Sequence, residues 1–169
     1  LSVAVLVVLA GLFSAADAAI APFSRARADE LFAEGKAGSR RLKHLLLDPP
    51  RYINSILLLG LLCEISAIVI VTLLISDAYD GDWWPVLLTS ILSMLVVSFV
   101  VIGVAPRTLG RIHAETFALA AAGPVVALTS LLGPIPSILI GVGNVITPGR
   151  GFREGPFSTE TELREMVDL

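Results

Sequence analysis

Two carboxylates lie inside stretches of the chain that are otherwise apolar. Asp17 follows the run LSVAVLVVLAGLFSAA, and Glu64 lies in the middle of an apolar run that extends from residue 53 to residue 75. A charged side chain at the centre of a membrane-spanning helix costs about 2.5–3.5 kcal/mol, so such residues usually face a bundle interior or a polar pathway. Both residues are therefore candidates for a functional site built from oxygen atoms. The alternative for Glu64 is a protonated side chain that hydrogen-bonds to a neighbouring helix and binds no ion.

Other site chemistries find little support in the sequence. The single cysteine, Cys63, excludes an intramolecular disulfide framework and cysteine-based zinc sites. His44 and His113 lie far apart in basic segments, which argues against a histidine-based metal cluster. Neither a nucleophile–base pair nor a phosphate-binding loop is recognisable. We therefore predict that the protein is not an enzyme, and we expect no nucleic-acid partner.

The composition is that of an integral membrane protein. Hydrophobic residues make up 55% of the 169 residues and charged residues only 16%, and the mean hydropathy is +0.84. Soluble domains carry about 25% charged residues. The sequence predicts an all-α membrane protein with three transmembrane helices and short helices on the cytoplasmic side.

The distribution of apolar and charged residues predicts where these elements lie. Spans are expected at about 1–21, 53–76 and 85–105, and an amphipathic hairpin with many basic residues at 24–48. The loop at 77–85 has three aspartates and neither lysine nor arginine, which is typical of an extracellular loop. By the positive-inside rule the N-terminus lies outside and the C-terminus in the cytoplasm, in a multi-pass protein of the plasma membrane.

The last third of the chain is predicted differently. Residues 114–146 are apolar but contain repeated glycines and prolines, and a lipid-exposed span broken this often would leave backbone groups unsatisfied. We favour short interfacial helices there over a fourth span. Residues 1–147 would then form the transmembrane domain, and residues 148–169 a cytoplasmic linker that leads to a missing soluble domain.

Two alternatives concern single segments. The first apolar run is also compatible with a signal peptide, because AADA at residues 15–18 resembles a small-residue cleavage site, although no basic region precedes the run. The aspartates of the loop at 77–85 also suit a surface cation site, but a solvated loop is the favoured interpretation.

Several short segments occur in a characteristic order. They are FSAADAAI at 13–20, SRAR at 24–27 with EG at 34–35, DPPRY at 48–52, GVAPRTL at 103–109 and TETELR at 159–164. Taken together they resemble the transmembrane domain of the CorC/CNNM family of magnesium transporters and exporters, over nearly the whole chain.

The resemblance implies a homodimer with three spanning helices per subunit and a belt of short cytoplasmic-side helices in the lipid bilayer. It also implies a Mg²⁺ pathway that is gated by nucleotide-binding CBS domains, so an ATP-type nucleotide would act only through domains that this chain lacks. Magnesium prefers about six hard oxygen ligands in near-octahedral order. Carried over by motif, the residues implied to hold the metal are Ser14, Asp17, Glu64, Ser98 and Gly103.

The sequence departs from the family motifs at this site. The glutamate of the first motif is Asp17, and that of the third becomes Gly103. In the second helix the asparagine pair of the family falls on Gly60 and Leu61 and its last asparagine on Glu64, unless the alignment is shifted by one residue. Our hypothesis is that Glu64 partly replaces the lost ligand.

Two functions follow from these observations. The first is a transporter of Mg²⁺ or another divalent cation with an acidic intramembrane pocket, coupled to a second cation such as Na⁺. The second is a membrane anchor or regulator of the same fold that has lost the ion site and does not transport.

Overall fold

The computed structural model describes residues 1–80 and 82–146, and all regular elements in that part are helical. This confirms the predicted all-α membrane fold. The elements are α1 (Ser2–Ile20), α2 (Arg25–Ala33), α3 (Ser39–Leu45), α4 (Pro49–Ala78), α5 (Trp83–Val96), a π-helical segment (Val97–Val104), α6 (Ala105–Ile112), α7 (Ala114–Leu132) and α8 (Ile135–Ile146).

Four helical stretches of the described chain are long and apolar enough to cross a membrane, judged by length and composition. They are Ser2–Ile20, Pro49–Ala78, Trp83–Ile112 and Ala114–Leu132. The first three correspond to the three predicted spans. The fourth covers part of the segment for which we expect interfacial helices, and its place relative to the bilayer stays a prediction.

The helix that contains the third predicted span is longer than the sequence suggests. We predicted an end near residue 105, but α5, the π-helical segment and α6 run on continuously to Ile112. The proline that suggested an end, Pro106, lies in the first turn of α6. Pro106 lies just after the π-helical segment, and a proline inside a continuous helix removes one backbone hydrogen bond without necessarily ending the helix.

The polar segment after α1 forms a hairpin of α2 and α3. The Ser24 hydroxyl caps α2 by accepting a hydrogen bond from the Arg27 backbone N–H at 3.1 Å. Gly35 and Gly38, with φ of +71° and +87°, make the turn between the two helices. Positive φ suits glycine because it has no Cβ.

A buried apolar core joins the hairpin to the C-terminal half of α1, the first turns of α4 and the middle of α7. The core residues are Ala16, Ala19, Ile20, Ala28, Leu31, Leu42, Leu45, Leu46, Tyr52, Ile56, Ala118, Ala122 and Val125. Because the core holds the C-terminal half of α1, it also fixes the position of Asp17 within the domain.

The first turn of α7 is joined to the hairpin by ion pairs. Glu115 accepts hydrogen bonds from Arg27, at 3.0 Å, and from Lys36. We predicted an interruption at Pro124, but the helix continues through this residue and ends at Leu132. The next residue, Gly133, has a φ of +56°. A proline removes one hydrogen bond, which a helix can absorb as a local kink.

A second unit begins at Leu132 and contains α8. Its helix is apolar along most of its length, with glycines at positions 141 and 143. The predicted cytoplasmic linker at 148–169 lies outside the described residues.

Candidate functional site: a polar cavity between three spans

The site is positioned by the close approach of α1 to the third span. A Cβ on Gly110 would lie 2.3 Å from the Ala15 carbonyl oxygen, and one on Gly11 would lie 3.2 Å from Cγ of Pro106. Small residues let membrane helices pack backbone to backbone. The glycines therefore set the distance at which α6 lies against α1.

On another side of α1 lies α4. A Cβ on Gly60 would be in ordinary contact, at 3.4 Å, with Cβ of Phe13. The three spans leave a partly open cavity of about 700 Å³ between them. Its lining is drawn from α1, α4, α5, the π-helical segment and α6.

All five residues that the resemblance implied as metal ligands line this cavity. Ser14 and Asp17 come from α1, Glu64 from α4, and Ser98 and Gly103 from the π-helical segment. They lie as many as 89 positions apart in the sequence (103 − 14) and are brought together by the packing of the spans. Whether they bind a metal stays a prediction.

Glu64 faces the cavity. Its side chain is half-buried and contributes to the lining, whereas Leu62 and Ile65 beside it are 58% and 50% exposed. Neighbouring positions on a helix point in different directions, which separates the apolar face from the cavity face. Asp17 is half-buried as well, between the buried alanines Ala16 and Ala18.

Ser98 lies in the π-helical segment, and its hydroxyl is buried with no hydrogen-bond partner among the described residues. One turn later, a Cβ on Gly103 would lie 3.2 Å from the Ser98 carbonyl oxygen. Short π-helical segments occur frequently at functional sites. An unpaired buried hydroxyl costs free energy, which a ligand or water would offset.

Sequence reasoning missed two cations in the same cavity. Arg107 and Arg111 both contribute to the lining, and Arg107 Nε donates a hydrogen bond to the Ser14 hydroxyl at 3.2 Å. Helical periodicity gave no reliable signal for this, because Gly103 lies in the π-helical segment and the register of α6 depends on it.

The chemistry of the lining is that of hard oxygen donors. Carboxylates, hydroxyls and backbone carbonyls suit Mg²⁺ and similar cations. Within the described residues, however, no group of three or more His, Cys, Asp or Glu side chains converges on one point. A cation in this cavity would therefore need the hydroxyls of Ser14 and Ser98 and carbonyl oxygens beside the two carboxylates.

The family model of the cyclin M transmembrane N-terminal domain, CNNM, matches residues 1–169, which is the whole chain. The chain belongs to this family. The match confirms the resemblance drawn from the short motifs, and with the apolar helices it makes the protein a multi-pass membrane protein.

Among the similar proteins are UPF0053 proteins of Mycobacterium bovis and Mycobacterium tuberculosis. Each is 47% identical to this CNNM domain over 165 residues, which is 98% of the chain. The chain spans 38% of the length of these curated relatives. Most of each relative therefore lies outside the region compared.

Proposed function

We propose that this CNNM domain carries Mg²⁺ or another divalent cation across the membrane, through the cavity between α1, α4 and the third span. Asp17 and Glu64 would supply carboxylate oxygens, and Ser14 and Ser98 would supply hydroxyl oxygens. The carbonyl groups near Gly103 would complete the ligand set. A second cation such as Na⁺ would provide the coupling.

The observation that supports this proposal is the convergence of five oxygen-bearing positions from three spans on one cavity. Two carboxylates in a membrane domain are costly unless they face a polar space or a cation. The unpaired Ser98 hydroxyl adds to the argument, because a buried donor or acceptor usually has a partner.

The test is Mg²⁺ flux into liposomes that contain the full-length protein. Asp17→Asn and Glu64→Gln remove a charge while keeping the shape of the side chain, and each should lower the flux about tenfold or more, equivalent to about 1.4 kcal/mol. Asp77→Asn is the matched control, because Asp77 is exposed at the end of α4 and does not line the cavity. Unchanged flux in both cavity variants would refute the site.

The second candidate function is a regulator that does not transport. It is favoured by one observation, namely that no cluster of three acidic, histidine or cysteine side chains forms among the described residues. A full-length protein that shows no flux under any imposed gradient, yet whose presence changes flux through another transporter, would support the regulator.

The proposal includes the arrangement that the resemblance implied. We expect a homodimer in the plasma membrane with the N-terminus outside, and control by ATP-type nucleotides through CBS domains in the rest of the protein. Crosslinking of intact cells and labelling of cysteines introduced at each terminus would test the dimer and the orientation.

A further inference from the structure

Within the described residues, Arg107 is the one of the two cavity arginines that hydrogen-bonds to a residue of the proposed cation site. Arg107 donates a hydrogen bond through Nε to the Ser14 hydroxyl at 3.2 Å, and it lines the same cavity as Asp17, which follows Ser14 by three positions on α1. Ser14 and Asp17 both belong to the proposed cation site. A guanidinium group has only N–H donors and no acceptor, so Arg107 cannot itself be a ligand of a metal cation.

A divalent cation at Ser14 and Asp17 would be repelled by Arg107 in this position. Like charges a few ångströms apart repel by several kcal/mol at the effective dielectric constant of a protein surface, about 20. The Arg107 hydrogen bond also occupies one lone pair of the Ser14 oxygen. The arginine and the cation therefore compete for the same two residues.

The side chain has a way out of the cavity. Arg107 is exposed, and it lies in α6 at the end of the third span, five positions before the last helical residue, Ile112. An arginine has a long, flexible stem that can carry its charge from an apolar surface to water. Rotation of this exposed side chain would break the hydrogen bond to Ser14 without moving α6.

We propose that Arg107 is a tethered counter-cation of the pocket. When no metal is bound, Arg107 hydrogen-bonds to Ser14 and compensates the negative charge of Asp17. When a divalent cation enters, the Arg107 side chain rotates out of the cavity. This inference rests on the proposed function and adds a determinant of affinity to it. By returning to the pocket, Arg107 weakens ion binding enough for release, which any transport site requires.

The first experiment titrates the purified full-length protein with Mg²⁺ and measures its thermal unfolding temperature at each concentration. Arg107→Gln should bind MgCl₂ about tenfold more tightly than the natural protein, equivalent to 1.4 kcal/mol. Arg107→Lys keeps the charge and should stay close to the natural affinity. Arg25→Gln is the control for general loss of positive charge, because Arg25 is exposed on α2 and does not line the cavity.

The outcomes separate this inference from the proposed function. Equal or weaker Mg²⁺ binding by Arg107→Gln would overturn the inference and indicate that the arginine only positions α6. The proposed function would still stand if Asp17→Asn lost the binding. If Mg²⁺ stabilises the natural protein and Asp17→Asn equally, the cation site itself is refuted, whatever Arg107→Gln does.

A second measurement needs no variant and so does not depend on folding of Arg107→Gln. Phenylglyoxal modifies accessible arginines, and mass spectrometry can follow each site in the natural protein. Added MgCl₂ should speed modification of Arg107, because the displaced guanidinium enters water, and should leave Arg25 unchanged. A rate at Arg107 that is unchanged or lowered by Mg²⁺ would overturn the inference.

Discussion

Gly110 of α6 lies directly against the backbone of Ala15 in α1, so that a Cβ at position 110 would be 2.3 Å from the Ala15 carbonyl oxygen. Real Cβ atoms do not approach a backbone atom that closely. This contact lies beside the hydrogen bond between Arg107 and Ser14, which joins the same two helices. The distance between α1 and α6 thus sets the geometry of the cavity wall.

Gly110→Ala should therefore destabilise the domain. The new methyl group has to push α6 away from α1, and overpacking of this kind costs about 1–3 kcal/mol. Thermal unfolding in detergent would measure the loss. Gly141→Ala is the matched control, since a Cβ there meets no described atom within 4 Å. A helical Gly→Ala change at an open site is expected to stabilise by about 0.5–1 kcal/mol. Equal unfolding temperatures for the two variants would contradict the tight contact.

The two glycines of the hairpin turn give a second pair of matched variants. Both have positive φ, but a Cβ on Gly35 meets nothing within 4 Å, whereas one on Gly38 would lie 2.5 Å from the Leu119 carbonyl oxygen of α7. Gly35→Ala should cost about 1–2 kcal/mol for the left-handed conformation alone. Gly38→Ala should cost about 1–3 kcal/mol more, because it also pushes against α7.

Chemical or thermal unfolding of both variants would measure the difference between them. That difference isolates the contact between the hairpin and α7. An equal decrease in the free energy of unfolding for both variants would show that α7 does not contact Gly38. It would also contradict the shared core of the hairpin and α7.

The sequence predicted the spans and the carboxylates of the cavity because both depend on the cost of polar groups in lipid. Apolar runs of about twenty residues have few structures available other than spanning helices. A carboxylate within such a run has to face a polar space, so Asp17 and Glu64 could be chosen before the fold was known.

The π-helical segment and the role of Arg107 could not be predicted in the same way. The segment VSFVVIGV is uniformly apolar apart from Ser98, and its local sequence does not distinguish a π-helix from an α-helix. The hydrogen bonds of a π-helix join residues five positions apart and not four, which changes the direction in which the following side chains point. A basic residue after a span also satisfies the positive-inside rule. Arg107 could therefore be either a residue of the cytoplasmic surface or part of the cavity lining, and the register of the helix was needed to decide.

Glu115 links α7 to the hairpin through Arg27 and Lys36, and Glu115→Gln should weaken this link slightly. The three side chains are exposed by a third or more, so solvent and salt screen the ion pairs. Thermal unfolding should show a small loss that disappears at about 1 M salt, where the Debye length is roughly 3 Å. Asp29→Asn is the control, because Asp29 pairs with Lys43 inside the hairpin and not with α7.

The pH dependence of this link has a definite sign. The hydrogen bond to Glu115 raises the pKa of Lys36 above its usual value of 10.5. Stability from a raised lysine pKa is fully present below the unfolded value and is lost as pH rises through the folded value. The difference between the natural protein and Lys36→Gln should hence stay constant between neutral pH and the ordinary lysine pKa. A difference that already declines near neutrality would contradict the pairing.

Ser98 and Ser90 form a matched pair for testing whether the Ser98 hydroxyl is a metal ligand. Both Oγ atoms are buried without a hydrogen-bond partner among the described residues, but Ser98 lines the cavity and Ser90 does not. Replacing either serine by alanine should leave stability without metal unchanged or raise it by up to about 1 kcal/mol, since no protein hydrogen bond is lost.

Added MgCl₂ should then separate the two variants. If the Ser98 hydroxyl is a ligand, Ser98→Ala lowers the affinity for Mg²⁺, and each tenfold loss removes up to 1.4 kcal/mol of metal-induced stabilisation. Ser90→Ala should retain the full effect of the metal in the same unfolding assay. An equal response of both variants to Mg²⁺ would show that the Ser98 hydroxyl is not a ligand, and the oxygen set would then reduce to Ser14, the two carboxylates and carbonyl groups.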